Sequence, residues 1–188
     1  MARLKLYIAN LGKYNEGELV GDWIELPYTE EELHDLFVRI KLGTYDEDGE
    51  YINGYEEGCL FYEEWAIHDY ETDIDGLYIR EYEDLEMLNE FMKAVNGLDK
   101  SDENKLMALM EWGYYGNNIL EAVNNLDEFT LYEDITDEED LGEYWLYDSG
   151  CYEIPEPIKA YIDCESFGRD TAMDEESSFT NRGYIVRE

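Results

Sequence analysis

The sequence predicts an α+β fold in which two mixed segments flank a helical one. Alternating apolar residues near both ends of the chain indicate strands, and apolar stripes at helical spacing occupy its middle. Apolar residues make up 44% of the 188 residues and only 3 are proline, so the chain can bury a core. Changes in pattern divide it into three small lobes: an N-terminal α+β lobe (residues 1–81), a central helical lobe (82–125) and a C-terminal α+β lobe (126–188).

The N-terminal segment opens like a β-meander and continues with one helix. Thr29 and Glu32 form a capping box for that helix, whose apolar stripe is Leu33, Leu36, Phe37 and Ile40. The other predicted features are a strand at Lys5–Ala9, a polar turn at Lys13–Gly17, a strand at Glu18–Leu26, the helix at 30–42 with a stop at Gly43, an acidic loop or hairpin at Thr44–Gly58, and a strand at Phe61–Tyr70.

The middle segment predicts three short helices, each with its own apolar stripe. The first carries Leu85, Leu88, Met92 and Val95 and ends in a left-handed cap at Gly97; the second begins at a Ser101 cap, carries Leu106, Leu109 and Met110 and stops near Gly113; the third follows an Asn117 cap and carries Ile119, Ala122, Val123 and Leu126.

The C-terminal segment returns to a mixed pattern. It predicts a strand at Phe129–Tyr132, a helix capped by Thr136 with Glu139 at the capping-box position, a helix opened by Pro155 and Pro157, and a closing strand at Gly183–Val186.

Acidic residues dominate the composition, with 49 Asp and Glu against 13 Lys and Arg and a formal net charge of −36. The net charges of the three segments are −15, −6 and −15, so the charge is distributed and no acidic tail exists. Such a charge repels nucleic acid and anionic membranes. A single acidic run is usually a solvated helix face, but the total indicates a collective, partner-binding acidic surface. The residues chosen to represent this surface are Glu31, Glu32, Asp35, Asp46, Glu47, Asp48, Asp73, Asp75, Glu83, Asp84, Asp102, Glu103, Asp137, Glu138 and Asp140.

No motif for catalysis, metal or cofactor binding is readable. Asp46-x-Asp48-Gly49 and Asp73-x-Asp75-Gly76 resemble part of an EF-hand loop, but tyrosine occupies the twelfth position of both where a bidentate glutamate is needed. Neither His34 nor His68 lies in a catalytic motif, and a structural role is expected for both. Phosphate-binding glycine loops are absent from the sequence. We therefore expect a non-enzyme without cofactor or metal.

Two alternatives remain open at this stage. Glycoside hydrolysis needs only two carboxylates beside aromatic platforms, and 49 acids with 28 aromatics supply such pairs by chance. An acidic binding protein adapted to high salt is the other alternative.

Cellular location is expected to be cytoplasmic. The N-terminus has too few apolar residues for a signal peptide, and no stretch approaches the length of a membrane span. Cys59, Cys151 and Cys164 lack a C-x-x-C spacing and are expected to be buried as small hydrophobes.

One long motif connects the chain to a known family. The run from Tyr7 to Gly21, YIANLGKYNEGELVG, followed by Trp23 and by Leu26-Pro27, resembles the opening of the ArdA antirestriction proteins. The resemblance continues at AIHDYE (66–71), YID (161–163), FGRD (167–170) and Gly183-Tyr184.

That resemblance implies an elongated three-lobed mimic of B-form DNA, encoded on mobile elements, that inhibits type I restriction-modification enzymes in their DNA-binding groove. It also implies a homodimer formed through the C-terminal lobe. The segment Gly142–Asp163 resembles the family's antirestriction motif beside the dimer contact, which makes Trp145, Tyr147 and Ile154 the expected interface residues. The acidic loop Asp46–Glu57 looks longer than in the family.

Overall fold

The computed structural model describes residues 3–116 and 118–188. Two compact units divide the chain, one ending at Gly97 and the other beginning at Leu98. Both combine helices with small antiparallel sheets, which confirms the predicted α+β class. The division into three lobes stays a prediction.

The first unit is built on a three-stranded antiparallel sheet. Its elements are β1 (Leu4–Asn10), α1 (Leu11–Asn15), β2 (Gly21–Leu26), α2 (Glu30–Arg39), β3 (Gly43–Tyr45), β4 (Tyr51–Asn53), β5 (Tyr55–Glu57), β6 (Leu60–Tyr62), β7 (Trp65–Thr72) and α3 (Leu85–Val95). The strand order is β2-β1-β7, and two hairpins, β3–β4 and β5–β6, lie outside the sheet. The central strand β1 confirms the first predicted strand. Its alternation buries Leu4, Leu6 and Ile8 completely.

Two strand predictions for this unit need correction. The strand expected at Glu18–Leu26 begins only at Gly21, and α1 extends into the first three residues of the turn expected at Lys13–Gly17. The strand expected at Phe61–Tyr70 is two strands, because β6 pairs with β5 whereas β7 pairs with β1. The acidic segment at Thr44–Gly58 was expected to be either a loop or a hairpin. It forms most of the two hairpins.

The capping box of α2 is present as predicted. The Glu32 amide donates to Thr29 Oγ1 at 3.3 Å, and the Thr29 amide donates to a Glu32 carboxylate oxygen at 2.7 Å. The helix ends at Arg39, earlier than residue 42, and the left-handed residue after it is Lys41 (φ 57°), not Gly43.

Asn10 explains how α2 ends. Its buried side-chain amide donates to the carbonyls of Ile40 (3.0 Å) and Lys41 (2.8 Å), which the helix itself leaves unsatisfied. Its Oδ1 accepts from the Lys13 amide at 2.9 Å and so caps α1. One amide side chain therefore joins β1, α1 and the end of α2.

Helix α3 begins at an Asp84 cap and buries all four residues of its predicted stripe. Its predicted end is wrong: the helix is followed by Asn96 in right-handed conformation, and Gly97 does not adopt a positive φ.

The second unit also has a three-stranded antiparallel sheet, in the order β8-β10-β9. Its elements are α4 (Lys100–Trp112), α5 (Ile119–Asn124), β8 (Phe129–Tyr132), α6 (Glu138–Glu143), α7 (Glu156–Lys159), α8 (Cys164–Asp174), β9 (Ser177–Thr180) and β10 (Gly183–Arg187). A 3-10 turn at Leu126–Glu128 and a π-helical turn at Tyr144–Asp148 complete it. The predicted strands at 129–132 and 183–186 are confirmed, whereas α8 and β9 were not predicted.

Helix α4 is capped two residues earlier than predicted. Asp99, not Ser101, accepts from the Asp102 amide at 2.9 Å, because a carboxylate at that position reaches the first free amides of the helix. Gly113 at its end has a φ of 72°, which confirms the stop there. The predicted Asn117 cap lies outside the described residues.

Helix α6 is capped one residue later than predicted. Asp137 accepts from the Asp140 amide at 3.0 Å, whereas Thr136 donates its hydroxyl to the Asp140 carboxylate at 2.8 Å. Asp140 therefore occupies the capping-box role that was expected of Glu139.

Helices α6 and α8 touch through their backbones. A Cβ at Gly142 would lie 1.9 Å from the Cys164 carbonyl oxygen, and one at Gly168 would lie 1.8 Å from the Glu138 carbonyl oxygen. Only glycine permits this approach.

Lys13 is the one basic residue that the described part of the chain buries. Its Nζ lies 2.5 Å from Glu57, 3.2 Å from Glu16 and 3.9 Å from Glu18, and it sits 4.6 Å from the ring centre of Tyr62. The contact with Glu57, followed by those with Tyr62 and Glu16, raises the Lys13 pKa. The same ammonium, together with Lys41, lowers the Glu57 pKa. The cation thus attaches α1 to the β5–β6 hairpin.

Replacing Lys13 by methionine is expected to lower the free energy of unfolding at pH 7, because three carboxylates lose their common partner. The folded-state pKa of Glu57 lies below its ordinary value of 4.5. Its stabilising contribution is therefore complete above that pH and is lost as the pH falls through the lower folded-state pKa. Urea denaturation of both proteins between pH 7 and pH 3 should show a difference that shrinks below about pH 4.5. A difference that grows on acidification would contradict this assignment.

Candidate functional site

Every acidic residue of the protein is at least partly exposed. Of the 49, 41 are exposed, 8 are half-buried and none is buried. Residues 1–97 hold 25 acidic and 7 basic residues, and residues 98–188 hold 24 and 6. Each unit therefore has a formal net charge of −18, and each presents its own anionic surface.

The residues chosen from the sequence follow this distribution. Five are half-buried: Glu83, Asp102, Glu103, Glu138 and Asp140. Ten are exposed: Glu31, Glu32, Asp35, Asp46, Glu47, Asp48, Asp73, Asp75, Asp84 and Asp137. All of them can reach a partner, although their surroundings differ.

In the first unit, helix α2 and the β3–β4 hairpin form one anionic cleft. Its lining includes Glu30, Glu31 and Asp35 from the helix, and Glu50 from the hairpin. The Tyr45 hydroxyl donates to Asp35 at 2.8 Å, which holds the hairpin against the helix and raises the Tyr45 pKa. The structure thus brings together acids that lie far apart in sequence.

A ring contact between His34 of α2 and Tyr51 of β4 also joins the two sides of this cleft. The imidazole stacks on the Tyr51 ring of β4 with centroids 3.8 Å apart and an interplanar angle of 6°. His68 instead contacts the Tyr14 ring edge-on at 5.0 Å. Both contacts are packing contacts, in line with the structural role expected for the histidines.

Two of the chosen acids in this region support the backbone. Glu32 accepts from Thr29, and these hydrogen bonds lower its pKa. Asp46 accepts from the amides of Asp48 (2.9 Å) and Glu50 (2.8 Å), which forms the hairpin turn. This turn accounts for the calcium-like spacing, and the described residues contain no group of three or more acidic, histidine or cysteine side chains suited to a metal ion.

Three more of the chosen acids of the first unit have local partners. Asp73 accepts from the Arg3 amide at 2.6 Å, and Asp84 accepts from the first amides of α3. Glu83 forms a two-point ion pair with Arg80, at 2.9 and 3.1 Å, which raises the Arg80 pKa. That pair neutralises part of the local charge.

In the second unit, the chosen acids cluster at helix N-termini. Asp102 lies in the first turn of α4, 3.6 Å from the Lys105 ammonium, and Glu103 follows it. Asp137 caps α6, and Thr136 lowers the Asp140 pKa through two hydrogen bonds. Helix dipoles stabilise carboxylates at these positions.

The sequence reasoning did not single out several exposed acids on helix faces. Glu86 and Glu90 project from α3 opposite its buried stripe, and the signal for them was the helical period that identified the stripe. The comparable acids of α8, which was not predicted, are Glu165, Asp170 and Asp174.

The expected dimer residues already make contacts within their own chain. Trp145 is half-buried against the cluster of Ile135, Leu141 and Tyr184. The Tyr147 hydroxyl donates to the Lys159 carbonyl at 3.2 Å, and Ile154 is half-buried in a cleft that Tyr147 also lines. Each of the three therefore retains exposed surface.

The cysteines contradict the expectation of burial. Cys59 and Cys151 are exposed, and Cys164 is half-buried with its thiol 3.6 Å from the Tyr147 hydroxyl. Cys59 lies in the turn between β5 and β6, and Cys151 lies beyond the π-helical turn, so neither follows a core period.

Comparison with known proteins gives a match over nearly the whole chain. A family model described as antirestriction protein (ArdA) matches residues 6–186. None of the curated proteins compared with the chain matches it. Across the described residues, no helix is long and apolar enough to cross a membrane. With a family match of this extent, the chain belongs to the ArdA family of antirestriction proteins.

Proposed function

We propose that this protein inhibits type I restriction-modification enzymes by occupying their DNA-binding groove as a mimic of B-form DNA. One observation carries the proposal: all 49 acidic residues are at least partly exposed, and the two units carry equal net charge. A basic groove gains affinity for DNA by releasing counterions from the phosphates. Carboxylates spread over a folded surface would gain affinity in the same way.

The amount of charge suits such a groove. B-DNA has one negative charge per about 1.7 Å of axis, so a net charge of 36 corresponds to roughly 61 Å of duplex, or about 18 base pairs. A homodimer would carry about twice that charge, roughly 36 base pairs' worth.

Local hydrogen bonds and ion pairs favour the charged form of five of these carboxylates. Every carboxyl group whose pKa departs clearly from its ordinary value has a lowered pKa; these are Glu16, Glu32, Glu57, Asp140 and Asp163. A glycoside hydrolase needs a general acid whose pKa is raised. None of these five carboxyl groups has the raised pKa of such an acid, which is in line with a binding role. A cytoplasmic location, where the target enzymes act on DNA, belongs to the same proposal.

We further propose a homodimer formed through the segment Gly142–Asp163. Its support is exposed apolar surface: Tyr152 is 52% exposed and Ile158 is 51% exposed, beside the half-buried Ile154. Sedimentation velocity at micromolar concentration should show a dimer, and Ile154→Asp should shift it toward monomer because a charge would enter the contact. Wild-type protein that is monomeric at this concentration would contradict the interface.

The direct test of the proposal is ATP-dependent cleavage of unmodified DNA by a purified type I enzyme, with this protein titrated in. We expect inhibition near stoichiometric amounts, relieved by excess target DNA. Absence of inhibition across several type I enzymes would refute the proposal. Inhibition that excess DNA does not relieve would refute competition for the DNA site.

Variants in the same assay test whether many acids share the binding. Glu47→Gln alone should change the inhibitory concentration by no more than about five-fold, because an exposed charge contact contributes about 0.2–1 kcal/mol. The triple variant Glu31→Gln, Glu47→Gln, Asp48→Asn should raise it by about ten-fold. The matched control, Glu31→Asp, Glu47→Asp, Asp48→Glu, keeps the charge and should behave as wild type. Complete loss of inhibition from one substitution would indicate a single critical contact instead.

A further inference from the structure

An apolar groove lies in the first unit between α2 and α3. It is an open cleft of about 1020 Å³, and its floor includes Leu33 and Phe37 of α2 and Trp65 at the start of β7. The Phe37 and Trp65 rings lie 6.3 Å apart, and all three floor residues are only half-buried. Their uncovered faces therefore line the groove. Imitation of phosphates requires no such apolar surface.

Buried hydrogen bonds hold the walls of the groove in place. The Tyr28 amide donates to Asn89 Oδ1 at 2.7 Å, and Asn89 Nδ2 donates back to the Tyr28 carbonyl at 3.0 Å. The Tyr28 hydroxyl donates to the Leu85 carbonyl at 2.9 Å. These bonds attach α3 to the segment that leads into α2. A partner would thus meet a preformed groove and would pay little ordering entropy.

The rim of the groove is strongly acidic. Five acids and one cation line it: Glu30, Glu83, Asp84, Glu86, Glu90 and Lys93. Glu83 is paired with Arg80 and Asp84 caps α3, but no hydrogen bond or ion pair within the described chain engages the side chains of Glu86 and Glu90. These two carboxylates, one helical turn apart on α3, are available to a cation from outside.

We propose that this groove binds a cationic amphipathic segment of a partner protein. A large apolar side chain of that segment would pack on Phe37 and Trp65, and its Lys or Arg side chains would pair with Glu86 and Glu90. Apolar floor and acidic rim together select this chemistry over a purely basic or purely apolar segment. Glu83 and Asp84 of the sampled acidic surface also line this groove, but its apolar floor is not part of that surface. Binding of such a segment does not depend on restriction inhibition.

The test uses the full-length, ¹⁵N-labelled protein and two short synthetic peptides with identical lysines. One peptide carries leucines at helical spacing, and the other has serine at those positions. We expect the leucine peptide to bind and to shift the indole N–H resonance of Trp65, assigned with a Trp65→Phe variant. The serine peptide should bind at least about ten-fold more weakly, because each buried leucine contributes about 1.5–3 kcal/mol. Equal binding of both peptides, or an unmoved Trp65 resonance, would overturn the proposal.

Two double variants locate the charge contact without disturbing the core. Glu86→Gln with Glu90→Gln should weaken binding of the leucine peptide by about three- to ten-fold. The matched control, Asp170→Asn with Asp174→Asn, removes two exposed acids at the same spacing from α8 and should change it by less than about two-fold. Equal weakening by both variants would mean that the peptide binds diffusely to the polyanion, which would overturn the proposal. The DNA-cleavage assay is a separate experiment. If the protein bound the leucine peptide but did not inhibit DNA cleavage, only the proposed function would be refuted.

Discussion

Mutual repulsion among 49 carboxylates is the constraint on which the rest of this structure depends. The fold leaves every acidic residue at least partly in water, where charge is screened, and builds its core from aliphatic and aromatic side chains. It also places aspartates at the N-termini of its helices. Caps of this kind begin α3, α4, α6 and α8, namely Asp84, Asp99, Asp137 and Asp163. At these positions the helix amides and dipole offset part of the repulsion.

Some of the few cations act as cross-links between distant parts of the chain. Lys13 attaches α1 to the β5–β6 hairpin, as described above. In the second unit, Arg187 at the end of β10 binds Glu128 at 2.7 Å and Glu176 at 3.3 Å, and it also donates to the Tyr114 hydroxyl. The contacts with the two glutamates raise the Arg187 pKa. Cations used in this way stabilise each unit but leave most of the carboxylate surface uncompensated. That remaining charge is the basis of the proposed mimicry.

Sequence patterns predicted those parts of the fold that depend on local chemistry. The Thr29–Glu32 capping box and the buried stripe of α3 followed directly from residue type and spacing. Features that depend on tertiary contacts were missed. Helix α1 is too short to show a period and depends on the Asn10 side chain, and α8 packs through backbone contacts at Gly168 that no stripe records. The choice of Asp99 over Ser101 as a cap was not readable, since both residue types cap helices well.

For the acidic surface as well, the sequence predicted what depends on composition and missed what depends on tertiary geometry. Composition predicted a carboxylate-covered surface, and every acidic residue is at least partly exposed. Composition did not show that the carboxylates of Glu32, Asp46 and Asp137 accept hydrogen bonds from nearby backbone amides. The sequence does not reveal whether a backbone amide lies within reach of an acidic side chain. The α2–α3 groove was also unreadable, since it joins helices about fifty residues apart through the Tyr28–Asn89 hydrogen bonds.

We propose that these carboxylates bind a site built for phosphates. The most direct measurement is the dissociation constant of the complex with a purified type I enzyme at several salt concentrations, beside a short duplex on the same enzyme. Mimicry predicts that affinity falls steeply and linearly on logarithmic axes, with a slope close to that of the duplex. Affinity that is insensitive to salt while the duplex is displaced would contradict it.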